Sequence, residues 1–249
     1  MLFEGQGKVF SATRLASGYP RAMRYLGDVS MLQTQVKTQT VEHQESHTGQ
    51  RLTDAHIVTS KQMDVTVTMD EWLADNLALA LYGTYSQVTS GTVTAEQLPS
   101  NLAQGDYARL AHPKVSSVVI KDSAGTPATL TAGTDYEVES ANHGTIKILG
   151  DLSGYTQPLT ADYSYAQYDR VVAFDQDPGE LWLRFEGLNI ADDDAPVLVE
   201  LYKVRLEPVQ QMDLINNQLS QLQLQGQALY DSLHDGDATL GQFGRILQL

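Results

Sequence analysis

Cysteine is absent from the 249-residue chain. Its absence excludes disulfides, thiolate catalysis, iron–sulfur clusters and the cysteine class of zinc site. Long apolar runs are missing as well: the longest uninterrupted one spans residues 77–82, whereas a membrane-spanning helix needs about 20 residues. Since there is also no basic, apolar N-terminal segment, the sequence predicts a soluble protein without a membrane anchor, made in the cytoplasm.

Basic side chains are scarce. The chain has 16 Lys and Arg against 31 Asp and Glu, a formal net charge of −15. Because nucleic-acid binding depends on Lys and Arg contacts with phosphate, this balance argues against a protein that grips DNA. Residues 1–60 are close to neutral, whereas 171–249 hold thirteen acidic and four basic residues. The two parts could attract each other between copies, or the charge could simply solvate the surface.

The motifs of common enzymes are also missing. The chain has no Gly-x-Ser-x-Gly, no P-loop and no Gly-x-Gly-x-x-Gly. His43 and His47 are four residues apart, but their segment lacks the helical pattern that would place both rings on one face of a zinc site. The acidic runs at 175–180, 192–194 and 235–237 do not match a calcium loop and are typical of solvated turns. The sequence therefore predicts no enzyme, no metal and no cofactor.

Alternation of period two dominates the chain and predicts a mainly β protein. The clearest case is the segment 63–69, whose four apolar side chains alternate with polar ones. Two rows of polar side chains are predicted in this way: Asp64, Thr66 and Thr68 on one strand, and Gln221, Gln223 and Gln225 on another.

One segment, 70–82, has helical spacing instead. Asp70 stands where an N-cap is expected, and Gly83 stands where a helix commonly ends. The predicted core-facing residues are Trp72, Leu73, Leu77, Ala80 and Leu81. A lone amphipathic helix in a β-rich chain has to lay its apolar side on a sheet.

Composition also divides the chain. Residues 86–170 are rich in Thr, Ser, Gly and Pro, with short strand patterns between turn signals. We predict an inserted β-rich module here, and a single core built from the flanks 1–85 and 171–249. The pattern leaves open whether the module folds independently or extends the main sheets.

Several motifs follow one another in the order of a known family. The first part contains Leu26-Gly27-Asp28-Val29, then a polar strand with Thr40, the alternating strand and the segment 70–83. The last part contains Phe185-Glu186-Gly187 and Leu222-x-Leu224-x-Gly226. Over about 1–85 and 171–231, the chain resembles the major tail tube protein of tailed bacterial viruses.

The resemblance implies a fold and a role. The fold would be a tail-tube-type β-sandwich or barrel with one flanking α-helix, interrupted here by the inserted module. The role would be that of a structural virion protein: copies form hexameric rings that stack into a hollow tube, as in type VI secretion systems. Its partners would be further copies and the tail tip or baseplate, tape measure and tail terminator proteins, in the virion tail. An acidic wall would let DNA pass because it offers phosphate few cations.

The resemblance also suggests contact residues. The region 32–62 would be a long hairpin or loop that reaches the neighbouring ring. The candidates for inter-ring contact are His43, Glu45, His47, Thr48 and Arg51. The two polar rows would line the lumen or a seam between subunits; alternatively, they meet outside solvent.

A function of another class remains open from the sequence. Twelve Tyr, two Trp and Asp-rich turns would suit a secreted or surface β-sandwich that binds carbohydrate. The missing signal segment argues against it. A hydrolase with paired carboxylates has only the abundance of acidic residues in its favour.

Overall fold

A computed structural model describes residues 2–47, 49–234, 237 and 239–249. These residues form a mainly β protein with one α-helix, which confirms the predicted fold class. The strands are β1 (Gly5–Thr13), β2 (Arg24–Tyr25), β3 (Val29–Gln44), β4 (Thr53–Met69), β5 (Thr84–Val88), β6 (Gly91–Gln97), β7 (Tyr107–Arg109), β8 (Val115–Lys121), β9 (Tyr136–Ser140), β10 (Thr145–Ile148), β11 (Thr160–Tyr165), β12 (Tyr168–Val172), β13 (Leu181–Asn189), β14 (Ala195–Leu206), β15 (Leu222–Ala228) and β16 (Gly244–Gln248). The helix α1 is Ala74–Ala80, and a 3-10 turn occupies Ile190–Asp192.

The chain forms two compact units. Unit 1 comprises Met1–Tyr85 and Val171–Leu249, and unit 2 comprises Ser86–Arg170. These boundaries fall at the residues where the composition changes. Strands β5 and β12 pair with each other as the chain leaves unit 1 and returns to it.

Unit 1 is built on one eight-stranded sheet. The strand order is β2-β1-β13-β14-β15-β4-β3, all neighbours are antiparallel, and β16 also pairs with β14. β15 pairs with 204–206 of β14, whereas β16 pairs with 197–201, so the two strands share one edge of β14. The sheet does not close into a barrel, so of the two predicted forms the barrel is wrong.

Alternation along the central strands explains the core of unit 1. Val65, Val67 and Met69 of β4 are buried together with Leu222 and Leu224 of β15, as the period-two pattern predicts. The same cluster takes residues from β1, β13 and β14. These residues form the main apolar core of unit 1, and Ala12, Trp182 and Tyr202 form a second, smaller buried cluster.

The helix is shorter than predicted. It begins at Ala74 rather than near Asp70, and Leu73 occupies the N-cap position in extended backbone without a side-chain cap. Asp70 instead accepts hydrogen bonds from Ser30 Oγ (2.7 Å) and Gln221 Nε2 (2.9 Å). The prediction of Asp70 as an N-cap is wrong because Ser30 in β3 and Gln221, directly before β15, engage its carboxylate.

The buried side of the helix also differs from the prediction. Ala80 is buried and Trp72 and Leu77 pack on the core, as expected, but Leu73 is 43% exposed and Leu81 is half-buried outside that cluster. The other fully buried helix residue is Asn76. Its Nδ2 donates to the Leu26 carbonyl (2.6 Å) and its Oδ1 accepts from Arg24 Nη1 (2.6 Å). A helix of two turns has few positions that face the core. One of these positions is occupied by Asn76, whose buried amide is hydrogen-bonded.

Unit 2 has a core of its own. It contains two three-stranded sheets, with the orders β7-β10-β9 and β6-β11-β8. Its fully buried side chains include Ile120, Ile146, Ile148 and Leu159. The buried carboxylate of Asp122 accepts backbone N–H groups from Ala128 (2.6 Å), Thr156 (3.2 Å) and Ala124 (3.4 Å), which fixes the turn after β8.

Candidate assembly surfaces

The hairpin of β3 and β4 extends well past the strand beside it. β15 pairs with β4 from Met63 to Met69, whereas β3 and β4 stay paired as far as Gln44 and Thr53. We call the extension, residues 36–62, the arm. Its strand from Val36 to Gln44 has nine residues, and at a rise of about 3.4 Å each the arm is about 30 Å long.

Both faces of the arm are open in the single chain. Every residue from Val36 to Gln44 is exposed. The apolar side chains Val36, Val41, Ile57 and Val58 are 64%, 54%, 57% and 47% exposed. A two-stranded hairpin in water is marginally stable, and long apolar edge strands favour pairing with another chain. The arm is therefore a candidate surface for contact with another subunit.

Three of the predicted contact residues, His43, His47 and Arg51, are on the surface of this arm. His43 is 67% exposed, and its Nδ1 lies 2.6 Å from Asp54 Oδ1. His47 is 81% exposed at the tip, and Arg51 is exposed there with a positive φ of 51°. Thr48 lies outside the described residues. These positions are compatible with contact, and the inter-ring role stays a prediction.

Glu45 occupies a different position from a contact residue. Its side chain is 5% exposed, because its carboxylate accepts the backbone N–H groups of His47 (2.8 Å) and Leu52 (3.4 Å). The backbone N–H of Glu45 also donates to the Leu52 carbonyl (2.9 Å). In the single chain the Glu45 carboxylate thus closes the tip of the arm, and its role as a contact residue stays a prediction.

The two predicted rows of polar side chains form one surface. β15 pairs with β4 so that Gln223 lies opposite Thr68, and Gln225 lies opposite Thr66. On the other side of β4, Gln33 lies opposite Thr66 and Gln35 opposite Asp64. We call this surface the polar face; its members are Gln33, Gln35, Lys37, Asp64, Thr66, Gln221, Gln223, Gln225 and Gln227. Sequence reasoning missed the β3 members and Gln227, although their alternation with apolar residues is visible in the sequence.

Asp64 is the acidic residue of the polar face, and a cation neutralises it. Lys37 Nζ donates to its carboxylate, and Gln62 Nε2 lies 3.0 Å from it. The hydrogen bond from Lys37, aided by the Lys37 charge and by Gln62, lowers the pKa of Asp64. The polar face therefore presents amides and hydroxyls around a paired charge, rather than a field of carboxylates.

Thr68 does not belong to the open surface. It is 5% exposed, and among the described atoms its Oγ1 has no hydrogen-bond partner. The segment 211–221 passes over this end of the polar face and forms a recess with Thr68 and Met31. In the single chain Thr68 thus lies under the connection between β14 and β15, and the prediction that it lines a lumen or a seam stays a prediction.

A buried ionic network in unit 1 was missed by sequence reasoning. Arg14 Nη2 lies 2.5 Å from Asp231 Oδ2, and Arg14 Nη1 lies 2.9 Å from Glu180 Oε2. His234 Nδ1 lies 2.7 Å from the same Asp231 oxygen, with both side chains 2% exposed. The rings of Trp182 and Tyr202 pack against His234. The network joins Arg14, directly after β1, to the segment after β15 and has the character of a structural clamp.

The structure contains little that points to other chemistry. Within the described ranges, no group of three or more His, Cys, Asp or Glu is placed to hold a metal ion. No helix in the part of the chain that the structure describes is long and apolar enough to cross a membrane. The segment 235–237, considered above as a calcium loop, lies largely outside the described residues.

The chain was compared with curated proteins and with protein-family models. No curated protein matches the sequence. A family model matches residues 2–247, nearly the whole chain including both units. The chain accordingly belongs to the family described as Protein of unknown function UCP028589.

Proposed function

We propose that this chain is a tail tube subunit of a tailed bacterial virus. It would be a structural protein without catalytic activity, which assembles as hexameric rings that stack into a hollow conduit for DNA ejection into the host. The sequence resemblance over 1–85 and 171–231 supports this proposal. Those residues fall in unit 1, which carries the arm and the polar face.

The observation that carries the proposal is the arm. It extends about 30 Å beyond β15, both of its faces are open, and its apolar side chains face solvent. A monomeric protein gains nothing from such a hairpin, since it exposes apolar area and unpaired strand edges. In a stack of rings, the neighbouring ring would cover the apolar area and the strand edges of the arm. The tip of the arm, with His43, His47 and Arg51, would contact that ring.

The polar face is suited to the inner wall of the conduit. DNA adheres to walls that hold Lys or Arg against its phosphates. Here the cation Lys37 is occupied by Asp64, and the remaining members are Gln and Thr. The net charge of −15 per subunit repels DNA from the rest of the tube. We therefore assign the polar face to the lumen, with Gln223 and Gln225 toward the DNA.

The proposed role implies which partners the protein has and where it resides. The main partner is the chain itself, and the tube would end on tail tip or baseplate proteins, enclose a tape measure protein and be closed by a tail terminator protein. The protein would be made in the host cytoplasm and reside in the virion tail. DNA would pass through without specific binding.

Electron microscopy of the purified protein tests the proposal. Six-fold rings or tubes about 100 Å wide are expected, since a subunit of this size is a few tens of Å across. A strictly monomeric protein at high concentration would contradict it, and a monomer that binds glycans would favour the carbohydrate-binding alternative.

Variants of the arm separate ring formation from stacking. Val41→Asp with Val58→Asp should leave the fold intact, because both residues are exposed and are not paired with each other, but should shorten tubes to single rings. The matched control, Thr126→Asp with Thr129→Asp, adds the same two charges to exposed positions in unit 2. Tubes of unchanged length from the arm variant would contradict the role of the arm.

A further inference from the structure

The hairpin of β3 and β4 has two different ends. One end is the tip of the arm. At the other end β3 begins at Val29 and β4 finishes at Met69, and these two residues are paired. We call this second end the base. β3 has 16 residues, so at a rise of about 3.4 Å each the tip and the base lie about 50 Å apart. The tip therefore cannot reach the base of its own chain.

The base is acidic. Asp28 directly precedes β3, and Asp70 and Glu71 directly follow β4. The backbone N–H of Asp70 donates to the Asp28 carbonyl (2.9 Å), and the backbone N–H of Asp28 donates to the Glu71 carboxylate (3.4 Å). Asp213 joins this end through the segment 211–221. All four side chains are exposed, and within the described ranges none of them forms an ion pair.

A recess opens at the base, and we call it the base recess. It has a volume of about 700 Å³ and lies between the segment 211–221, the start of β3 and the end of β4. Among the described residues that line it, most carry amides or hydroxyls, Asp213 carries the one carboxylate, and none is Lys, Arg or His. The base recess therefore offers hydrogen-bond acceptors and negative charge, which suit a cationic partner rich in N–H donors.

A second observation points to a ligand in the base recess. Thr68 lines the recess and is 5% exposed, and its Oγ1 has no hydrogen-bond partner among the described atoms. A buried polar group without a partner lowers stability, and native proteins contain few of them. A polar group that entered the recess and bonded to this hydroxyl would remove the cost.

The tip of the arm has the complementary chemistry. Arg51 is exposed there, and in the part of the chain that the structure describes it forms no ion pair. The arm has three Lys or Arg, three Asp or Glu and three His, so its formal charge is zero and the rest of the chain carries the whole −15. A guanidinium brings five N–H donors and a permanent positive charge. Arg51 thus supplies what the base recess lacks.

We propose that the arm tip of one subunit docks in the base recess of a subunit in the next ring, with Arg51 set against the carboxylates of the base. The occupant is a second copy, because the two complementary surfaces are the opposite ends of one hairpin. A contact between two different surfaces of the same chain is head-to-tail and can repeat along a stack. This inference rests on the proposed function, because it names the surface that receives the arm of the neighbouring ring.

Tip-to-base docking sets the spacing of the rings. Strands in β-barrels tilt by about 35–45° from the barrel axis. A hairpin about 50 Å long with this tilt rises about 35–41 Å along the axis, so microscopy of the tubes should show that repeat. Each contact can be small, because all the subunits of a ring bind the next ring at once and their contacts act together. A repeat below about 30 Å would overturn the inference, since the hairpin would then overshoot the base.

Engineered cysteines test the contact directly, because the natural chain has none. His47→Cys at the tip and Asn217→Cys, exposed in the wall of the base recess, would be combined in one chain. After assembly, mild oxidation or a short bis-maleimide should join the subunits into dimers and longer covalent ladders. Neither single variant should cross-link. His47→Cys with Thr126→Cys, exposed in unit 2, is the control and should give no ladder.

The possible outcomes are distinct. Tubes without a tip-to-base ladder would overturn this inference and leave the proposed function standing. A cross-link of His47→Cys alone would also overturn it, since the tips would then meet each other. Ladders from filaments that contain no rings would support the inference and contradict the proposed function. The absence of rings, tubes and ladders would overturn both.

An exchange of charges provides a second measurement. Arg51→Glu should lower the mean tube length at least roughly tenfold, because every contact between two rings changes at once. Adding Asp213→Arg to Arg51→Glu should restore the length, because the pair is again opposite in charge. Arg51 and Asp213 are exposed, so both variants should remain folded by circular dichroism. The matched control is Arg109→Glu, exposed in unit 2, which should leave the length unchanged. Tubes of normal length from Arg51→Glu would overturn the inference.

Discussion

Replacing Asp231 by Asn should destabilise unit 1 strongly, although it changes no exposed surface. The carboxylate is 2% exposed and lies 2.5 Å from Arg14 Nη2 and 2.7 Å from His234 Nδ1. Breaking a buried ion pair by removing one partner costs about 3–5 kcal/mol, because the other charge stays buried. Glu180 remains 2.9 Å from Arg14, so we expect a loss near the lower end, about 3 kcal/mol.

Urea unfolding followed by tryptophan fluorescence measures this loss. The chain has two Trp, Trp72 and Trp182, and both belong to unit 1. With a urea slope of about 1–3 kcal/mol/M, a loss of about 3 kcal/mol lowers the midpoint by at least about 1 M. The matched control is Asp177→Asn, because Asp177 pairs with Arg205 at the surface, with 54% and 46% of the side chains exposed. It should cost less than about 1 kcal/mol, and equal losses in the two variants would refute the reasoning from burial.

The dependence on pH gives the same substitution a second readout. Burial by itself raises the pKa of Asp231, but hydrogen bonds from His234 and Leu233, together with Arg14, outweigh it and lower the pKa. A carboxyl whose pKa is lower in the folded state contributes stability above its unfolded pKa of about 3.9, and that stability disappears as the pH falls. The difference in unfolding free energy between wild type and Asp231→Asn should therefore narrow below about pH 4. A constant difference from about pH 3 to 7 would mean that packing, not charge, causes it.

Three further predictions concern stability. Asn76→Ala should lower the free energy of unfolding of unit 1 by about 1–3 kcal/mol, because the Leu26 carbonyl loses its partner inside the protein; a change below about 0.5 kcal/mol would contradict this. Gly226→Ala should lower the free energy of unfolding further, because the new Cβ would lie 2.1 Å from the Arg205 carbonyl oxygen. Soluble protein with an unchanged melting temperature would show that β14 and β15 can separate without cost. Residues 86–170, expressed alone, should unfold cooperatively on heating, because their core is contained within the segment; a chain without a thermal transition would show that unit 2 depends on unit 1.

Local sequence patterns were sufficient to predict the mainly β class and the central strands of unit 1. On β4 the alternation around Val65 and Val67 matches the burial seen in the structure, because both faces of the strand have distinct surroundings. The helix was less predictable. Its N-terminus depended on whether the carboxylate of Asp70 capped the helix or bonded to other strands, and only the sheet register brings Ser30 and Gln221 to it.

The candidate surfaces were predictable in their parts but not in their assembly. Each polar row follows from alternation, yet nothing local indicates that Gln223 lies opposite Thr68, since that register is set by the whole sheet. Glu45 and Thr68 become buried through the tip of the arm and the 211–221 segment, which are tertiary contacts. The pair Arg14 and Asp231, 217 residues apart, has no local signature at all.

The division of unit 1 into two chain segments sets an order of events during synthesis. Unit 2 is one continuous segment and can complete its fold while later residues are still being translated. Strands β13–β16 arrive last, roughly 4–16 s later at about 5–20 residues per second. Until then β4 has no β15 beside it, and the core of unit 1 lacks the side chains that β13, β14 and β15 supply. Unit 1 can therefore complete its fold only when almost the whole chain has left the ribosome, after unit 2 has had time to form.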